Sequence, residues 1–476
     1  MPTTPAPTPK LEPAIITIFG ITGDLSKRYL LPALYRLFKD NLLPEQTELV
    51  GISRRLLDLD EIFQDLEKHL RDNDETVDSA TIQRMREKSR PYQLDMDDSA
   101  AYLQLRESLN TIEAAQGICM NRLYYLSIPP TAYGGVIQHL GQAELDKSCP
   151  HGEGKSRLLL EKPLGADFAS AEALIKTIGE AFDETQVFRI DHYLAKETAQ
   201  NILTFRFENP LFEAVWNRDH VARIDIVASE KIGIEGRAAF YEGQGALRDF
   251  TQNHLLQLLA IATMDRPAEL SSDAIHATKL QLLQAIQPIT AESMADKNST
   301  AQARRGQYSG YRDEVGNQNS FVETFAAITT TIDSPRWQGV PISIRTGKAM
   351  ANKQTTVTFT FMSTGQSSAE NTVEFRIAPN EGIAVHLMAK KPGFEHELQP
   401  VLMDFTYAQN FRDFEGAQPN AYERVLLDAV RGDRTLFATS DEALAAWKVV
   451  DAVVQAWQQN GDDLHIYQPG TPIDEL

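Results

Sequence analysis

Residues 15–27 read IITIFGITGDLSK. A short apolar run closes on Gly20, and a helical pattern follows from about Leu25 to Phe38. Strand, glycine turn and helix in that order open a βαβ unit. Outward from this stretch the first half keeps alternating. ELVGISRR (48–55), RLYYLSIPP (122–130), RLLLEKP (157–163) and QVFRID (186–191) read as strands, with helix-like sequence between them. Strands spaced by helices predict a parallel, doubly wound sheet with right-handed crossovers. From VARIDIVASE (221–230) the pattern changes. PISIRT (341–346), TTVTFTFMS (355–363), NTVEFRIAP (371–379) and GIAVHLMAKK (382–391) are β-branched alternations with little helix between the later ones. They predict a mostly antiparallel sheet flanked by helices. The expected organisation is an α/β Rossmann-like doubly wound domain over 13–195 and a larger α+β domain with a mostly antiparallel sheet over 196–476. A Pro- and Thr-rich segment over 1–12 is expected to be a disordered tail.

Composition narrows the functional classes. A chain of 476 residues that is 42% hydrophobic and 24% charged can bury more than one core. Its net charge of -20 argues against partners such as nucleic acid or an anionic membrane. An anionic substrate would instead need a local basic cluster held against that field. No run approaches the roughly 18 apolar residues of a membrane span. Cys119 and Cys149 are too few for a disulfide framework and show no metal-ligand spacing. A reducing cytoplasm and no metal are the expectation.

Gly20 and Gly23 enclose a turn between strand and helix. Glycines there let backbone approach a pyrophosphate, and the following helix offers its amino end. The G-x-x-G spacing equally suits a plain strand-to-helix turn with Asp24 as N-cap. At the end of the second strand, where an NAD site carries an acid, stand Arg54 and Arg55. An arginine suits a 2′-phosphate, or the two are exposed loop residues. GEGKS (152–156) lacks the first glycine of a P-loop, which disfavours a P-loop kinase.

Three further segments carry candidate chemistry. Glu161-Lys162-Pro163 ends a strand where ligands bind in such sheets. In RIDHYLAKE (189–197), a helix beginning near Asp191 would put His192 and Lys196 on one face, able to grip a phosphate or simply solvated. LRDFTQNHLLQLLAIA (247–262) reads as an amphipathic helix with His254 on the apolar line Phe250–His254–Leu258. His254 is then a core histidine or a buried general base whose proton affinity a carboxylate sets; Asp249 is the other acid on this helix.

IFGITGDLSKRYLLPALYRL, LEKPLG, FRIDHYLAKE, EGRAAFYEGQGALRDFTQNHLLQLLA and RWQGVPISIRTGKAM stand in one order. Together they resemble the glucose-6-phosphate dehydrogenases, from about residue 15 to the C-terminal region. The resemblance implies oxidation of D-glucose 6-phosphate to the 1,5-lactone with NADP as cofactor, the entry step of the pentose phosphate pathway. It implies that Gly20, Ile21, Thr22, Gly23, Asp24, Leu25, Ser26 and Lys27 cradle the pyrophosphate. Arg54 takes the 2′-phosphate, and Asp95 and Met96 line the cofactor groove. Lys162 touches cofactor and substrate, and His192 and Lys196 hold the sugar's phosphate. Glu230 and Asp249 bind sugar hydroxyls, and Lys348 and Lys353 reach the substrate. His254 is the base, with Asp191 its carboxylate. Ala195 and Ala238 replace frequent glycines of the family at positions that are not ligands. A homodimer or homotetramer is also implied. The alternatives are a broader hexose-6-phosphate or hexose dehydrogenase and a non-catalytic NADP-binding sensor.

Overall fold

The computed structural model describes residues 11–147, 149, 154–363, 370–411, 419–460 and 464–476. Residues 1–10 of the expected tail, and Gly152 and Glu153 of the GEGKS stretch, lie outside them. Six parallel strands form the first sheet: β1 (Ala14–Phe19), β2 (Glu48–Ser53), β3 (Ser89–Gln93), β4 (Asn121–Leu126), β5 (Ser156–Leu160) and β6 (Val187–Ile190). β1 and β4 are buried at every position, as strands covered on both faces must be. A second, nine-stranded sheet takes β7 (Val221–Ser229), β8 (Gln302–Tyr308), β9 (Phe325–Thr330), β10 (Ile342–Gly347), β11 (Gln354–Phe361), β12 (Thr372–Ala378), β13 (Gly382–Lys390) and β14 (Leu398–Thr406). The short β15 (Phe437–Ala438) joins the first sheet beside β6, antiparallel to it. β16 (Leu464–Tyr467) closes the second sheet beside β8.

The first sheet has the order β15-β6-β5-β4-β1-β2-β3. Strand order reverses between β1 and β4, and the carboxyl ends there leave a crevice where such sheets bind ligands. The second sheet runs β14-β13-β12-β11-β7-β10-β9-β8-β16. It is antiparallel except that β7 and β10, and β8 and β16, run parallel. Parallel β7 and β10 matter for the site, because Ser229 and Gly347 sit opposite each other at the same end. One face of this sheet meets the helices Glu197–Phe207 and Leu256–Thr263 and the π-helical turns of Leu247–Leu255 over an apolar core. The strands predicted from sequence are present. β3 lacked an apolar run because it is an exposed edge strand containing Pro91.

The chain forms two compact units, residues 1–164, 172–192 and 419–439 in one, residues 165–171, 193–418 and 440–476 in the other. The first unit therefore takes back the helix Ala421–Arg431 and β15 late in the chain. Cys119 and Cys149 differ from the expectation of free thiols. They are bonded to each other, because the turns before β4 and β5 bring their Cα atoms to 5.7 Å. Among the described residues no helix is long and apolar enough to cross a membrane.

Candidate active site

In the first unit the turn after β1 is built so that only glycine fits. Gly20 has φ +78°, and a Cβ there would run into the carbonyl oxygen of Ser127. The Gly23 amide donates to the Gly20 carbonyl at 2.9 Å. Ser26, buried, donates its hydroxyl to the Gly20 carbonyl and shares a hydrogen bond with Ser127 Oγ, each at 3.0 Å. Ile21 packs inward, Thr22 and Asp24 are exposed, and the helix opens at Asp24. Asp24 does not cap it; its carboxylate lies 3.4 Å from Arg28 on the exposed side. Lys27 is likewise turned away from the turn, its ammonium 2.7 Å from Asp65, a bond that raises its pKa. The turn thus offers bare backbone and the start of a helix, which fits a pyrophosphate. Arg54 is exposed just past β2, its carbonyl tied to the Gln93 amide at 3.1 Å. Asp95 and Met96 follow β3 at the same carboxyl edge. Asp95 accepts from the Asp97 amide at 3.2 Å, and the Met96 carbonyl accepts from Tyr102 at 3.0 Å.

A cavity of about 360 Å³ opens at the carboxyl ends of β1, β4, β5 and β6. Gly23, Asp24, Leu25, Glu161, Lys162, His192 and Tyr422 line it. Asp191 follows β6 directly and is 4% exposed. The structure thus brings Lys162 and His192 together with the glycine turn. The Tyr422 ring stacks on His192 at 6.3 Å between centroids and on Tyr29 at 5.1 Å.

In the second unit the predicted sugar-reading residues converge. Glu230 and Lys348 leave the parallel pair β7 and β10 at the same end. The buried Lys348 ammonium pairs with the Glu230 carboxylate, lies 3.9 Å from Asp249, and sits over the Tyr241 ring at 5.4 Å. Burial first, and then Asp249 and the other acids, push the Tyr241 hydroxyl well above its ordinary range. His254 is fully buried, its ring 4.4 Å from that of Tyr193 and 5.2 Å from that of Phe250. Lys196 lies 3.4 Å from Glu381, which also accepts the Thr198 amide at 3.0 Å. Lys353 directly precedes β11, whose Gln354 pairs with Ser229 next to Glu230. It is exposed and also lines a polar cavity with Thr356, Thr358 and Arg376.

Two local expectations change. No helix begins at Asp191: residues 192–195 form turns, and the helix starts at Glu197, where Glu381 receives the first-turn amide of Thr198. His192 and Lys196 therefore do not share a helix face. The stretch around His254 is not an amphipathic α-helix either. Leu247–Leu255 is π-helical and buried on nearly every side, so a 3.6-residue stripe does not describe its faces. The reading of single motifs left Tyr193, Glu381, Tyr422 and the acid of Glu161 without roles. Glu161 and Tyr193 were inside quoted motifs. Glu381 and Tyr422 carry no local signal, since only tertiary contact gives them one.

The first part of the chain, residues 17–201, matches the family model "Glucose-6-phosphate dehydrogenase, NAD binding domain". Residues 203–473 match "Glucose-6-phosphate dehydrogenase, C-terminal domain". A glucose-6-phosphate 1-dehydrogenase of Chlamydia pneumoniae is 37% identical over 472 residues, covering 94% of this chain and 90% of its own. Among solved structures, a glucose-6-phosphate dehydrogenase in complex with its substrate glucose-6-phosphate is 30% identical with a TM-score of 0.88, covering 98% of this chain and 96% of its own. The glucose-6-phosphate 1-dehydrogenase of Mycobacterium avium is 30% identical with a TM-score of 0.82, covering 97% and 95%.

Proposed function

Because this chain belongs to the glucose-6-phosphate dehydrogenase family, we propose that it is an oxidoreductase converting D-glucose 6-phosphate to 6-phospho-D-glucono-1,5-lactone. NADP, when bound, accepts the hydride from the anomeric carbon. The observation that carries the reading is the buried Lys348 paired to Glu230 beside Asp249. It holds two carboxylates ready to accept hydrogen bonds from sugar hydroxyls. His254, on the same π-helical segment as Asp249, removes the proton of the anomeric hydroxyl, and Asp191 is its partner carboxylate. Tyr193 against the imidazole supports a fixed ring orientation. Lys162 and His192, with Lys196, hold the phosphate. The glycine turn over Gly20–Lys27 receives the pyrophosphate through backbone, with Lys27 engaged by Asp65. Arg54 reads the 2′-phosphate, and Asp95 and Met96 border the cofactor groove. Lys353, beside the Glu230 end of β7, reaches the substrate with Lys348.

A homodimer or homotetramer is supported by apolar side chains left exposed on β14, Leu402 at 53% and Met403 at 63%. Sedimentation equilibrium tests it. A cytoplasmic location fits a sugar-phosphate dehydrogenase, while the Cys119–Cys149 bond points to a less reducing compartment. Alkylation of the thiols in intact cells distinguishes the two. The activity itself is tested by following reduced cofactor with each of NADP and NAD against glucose 6-phosphate, other hexose 6-phosphates and free glucose. NADPH formation with glucose 6-phosphate is expected. Its absence in folded protein would sink the reading in favour of a binding role.

A further inference from the structure

The groove of the first unit holds an acid that the proposed chemistry does not use. Glu161 follows β5 and precedes Lys162, and both line the cavity with His192 and Tyr422. Tyr125, from the neighbouring β4, donates its hydroxyl to Glu161 Oε1 at 2.5 Å. Tyr133, on the helix Tyr133–Gln142, donates to the Glu161 backbone oxygen at 3.0 Å. Other ionisable groups facing the carboxyl are Lys162, Asp191 after β6, and Tyr422 on the helix Ala421–Arg431, with His192 lining the same cavity. Burial pushes the carboxyl up to about 7, against the lowering pull of the Tyr125 hydroxyl and of Lys162. Glu161 thus sits at the floor of a groove whose proposed ligand is an anion, next to a cation proposed to touch it.

We propose that Glu161 is a positioning residue that sets the charge of the sugar-phosphate groove through Lys162. Protonated, it leaves the Lys162 ammonium to the phosphorylated sugar. Ionised, it competes for that ammonium and repels the incoming phosphate. The proposal rests on the sugar-phosphate reading given above. Tyr125 tunes the exchange, because a hydrogen bond donated to the carboxylate favours its charged form. A charge on Glu161 at this range, in a partly buried groove, should weaken phosphate binding by about 3- to 30-fold.

The test is calorimetric affinity for glucose 6-phosphate at about pH 6, 7 and 8 for wild type, Glu161→Gln and Tyr125→Phe. Glutamine keeps the size and the acceptor for Tyr125 but cannot ionise. The sugar's own phosphate titrates in the same range, so the reading is the ratio of variant to wild type at each pH. Glu161→Gln should match wild type at about pH 6 and bind about 3- to 30-fold tighter at about pH 8. Tyr125→Phe should retain the low-pH affinity to higher pH than wild type does. A carboxyl needed only for structure would give weaker binding by a constant ratio, and that result overturns the proposal. Should Glu161→Gln fail to fold, the direction of the Tyr125→Phe shift decides alone. If wild type neither binds glucose 6-phosphate nor reduces NADP, the fault lies in the assigned function. If it does both and the ratio stays flat, only the role of Glu161 is lost.

Discussion

His254 is the residue on which packing and chemistry compete. Its ring is fully buried against Tyr193 and Phe250, so truncating it would damage a core whatever its role. His254→Asn keeps polarity and much of the bulk. If His254 is the base, kcat should fall by about 10²- to 10⁴-fold with the folding midpoint little changed. Asp191→Asn should act on the same step, and the double variant should be little worse than the poorer single one, because groups acting as a unit are not additive. Steady-state kinetics with a thermal melt on each variant separates this from a core histidine, whose loss would lower stability and leave kcat near normal. Arg54 poses a cleaner question, since it is exposed at the end of β2 and supports no packing. Arg54→Ala should weaken NADP by about 10- to 150-fold, the loss of a charge-assisted bond of about 1.5–3 kcal/mol, with a much smaller effect on NAD. Equal losses for both cofactors, measured as KM ratios, would remove the 2′-phosphate from Arg54.

At the scale of elements, the π-helical segment Leu247–Leu255 depends on the residues just before it. Gly245 has φ +69°, and a Cβ there would fall on the Glu323 carboxyl. That carboxyl accepts the Leu247 amide at 3.1 Å and so caps the start of the segment. Gly245→Ala combines an unfavourable left-handed conformation with this clash and should cost at least about 1–3 kcal/mol in a denaturant titration. Activity should fall with it, since Asp249 and His254 ride on the segment. An unchanged midpoint would mean that the turn relaxes without disturbing Glu323. The helix Ala421–Arg431 carries a pH effect. Burial raises Asp428 from 3.8 to about 6. A carboxyl with a raised native pKa binds its proton more tightly when folded, so stability declines as pH rises from about 4 to about 6 and is level above. Asp428→Asn should therefore be neutral at about pH 4 and stabilise by about 1–3 kcal/mol at about pH 7. A gain independent of pH would assign the effect to packing.

At the scale of the whole molecule, the one covalent crosslink among the described residues lies away from the proposed chemistry. Cys119 and Cys149 are separated by 30 positions and precede β4 and β5, at the opposite ends of those strands from the cavity. Closing a loop of that length is worth about 3–4 kcal/mol through the unfolded chain. Reduction should lower the unfolding midpoint while kcat and KM stay unchanged; a fall in kcat at temperatures where the reduced protein remains folded would tie the bond to function. The sequence by itself determined the parallel sheet, the later antiparallel sheet and the family, and it supplied the candidate residues of the site. Those signals are local: apolar runs ending in glycine, two-residue alternation, and motifs specific enough to identify a family. Only tertiary structure decided that residues 419–439 return to the first unit and that Lys27 turns to Asp65. It likewise decided that Lys348 pairs with Glu230 beside Asp249. Each of these depends on which distant side chain occupies the adjacent volume, and a pattern of neighbours along the chain carries no record of that.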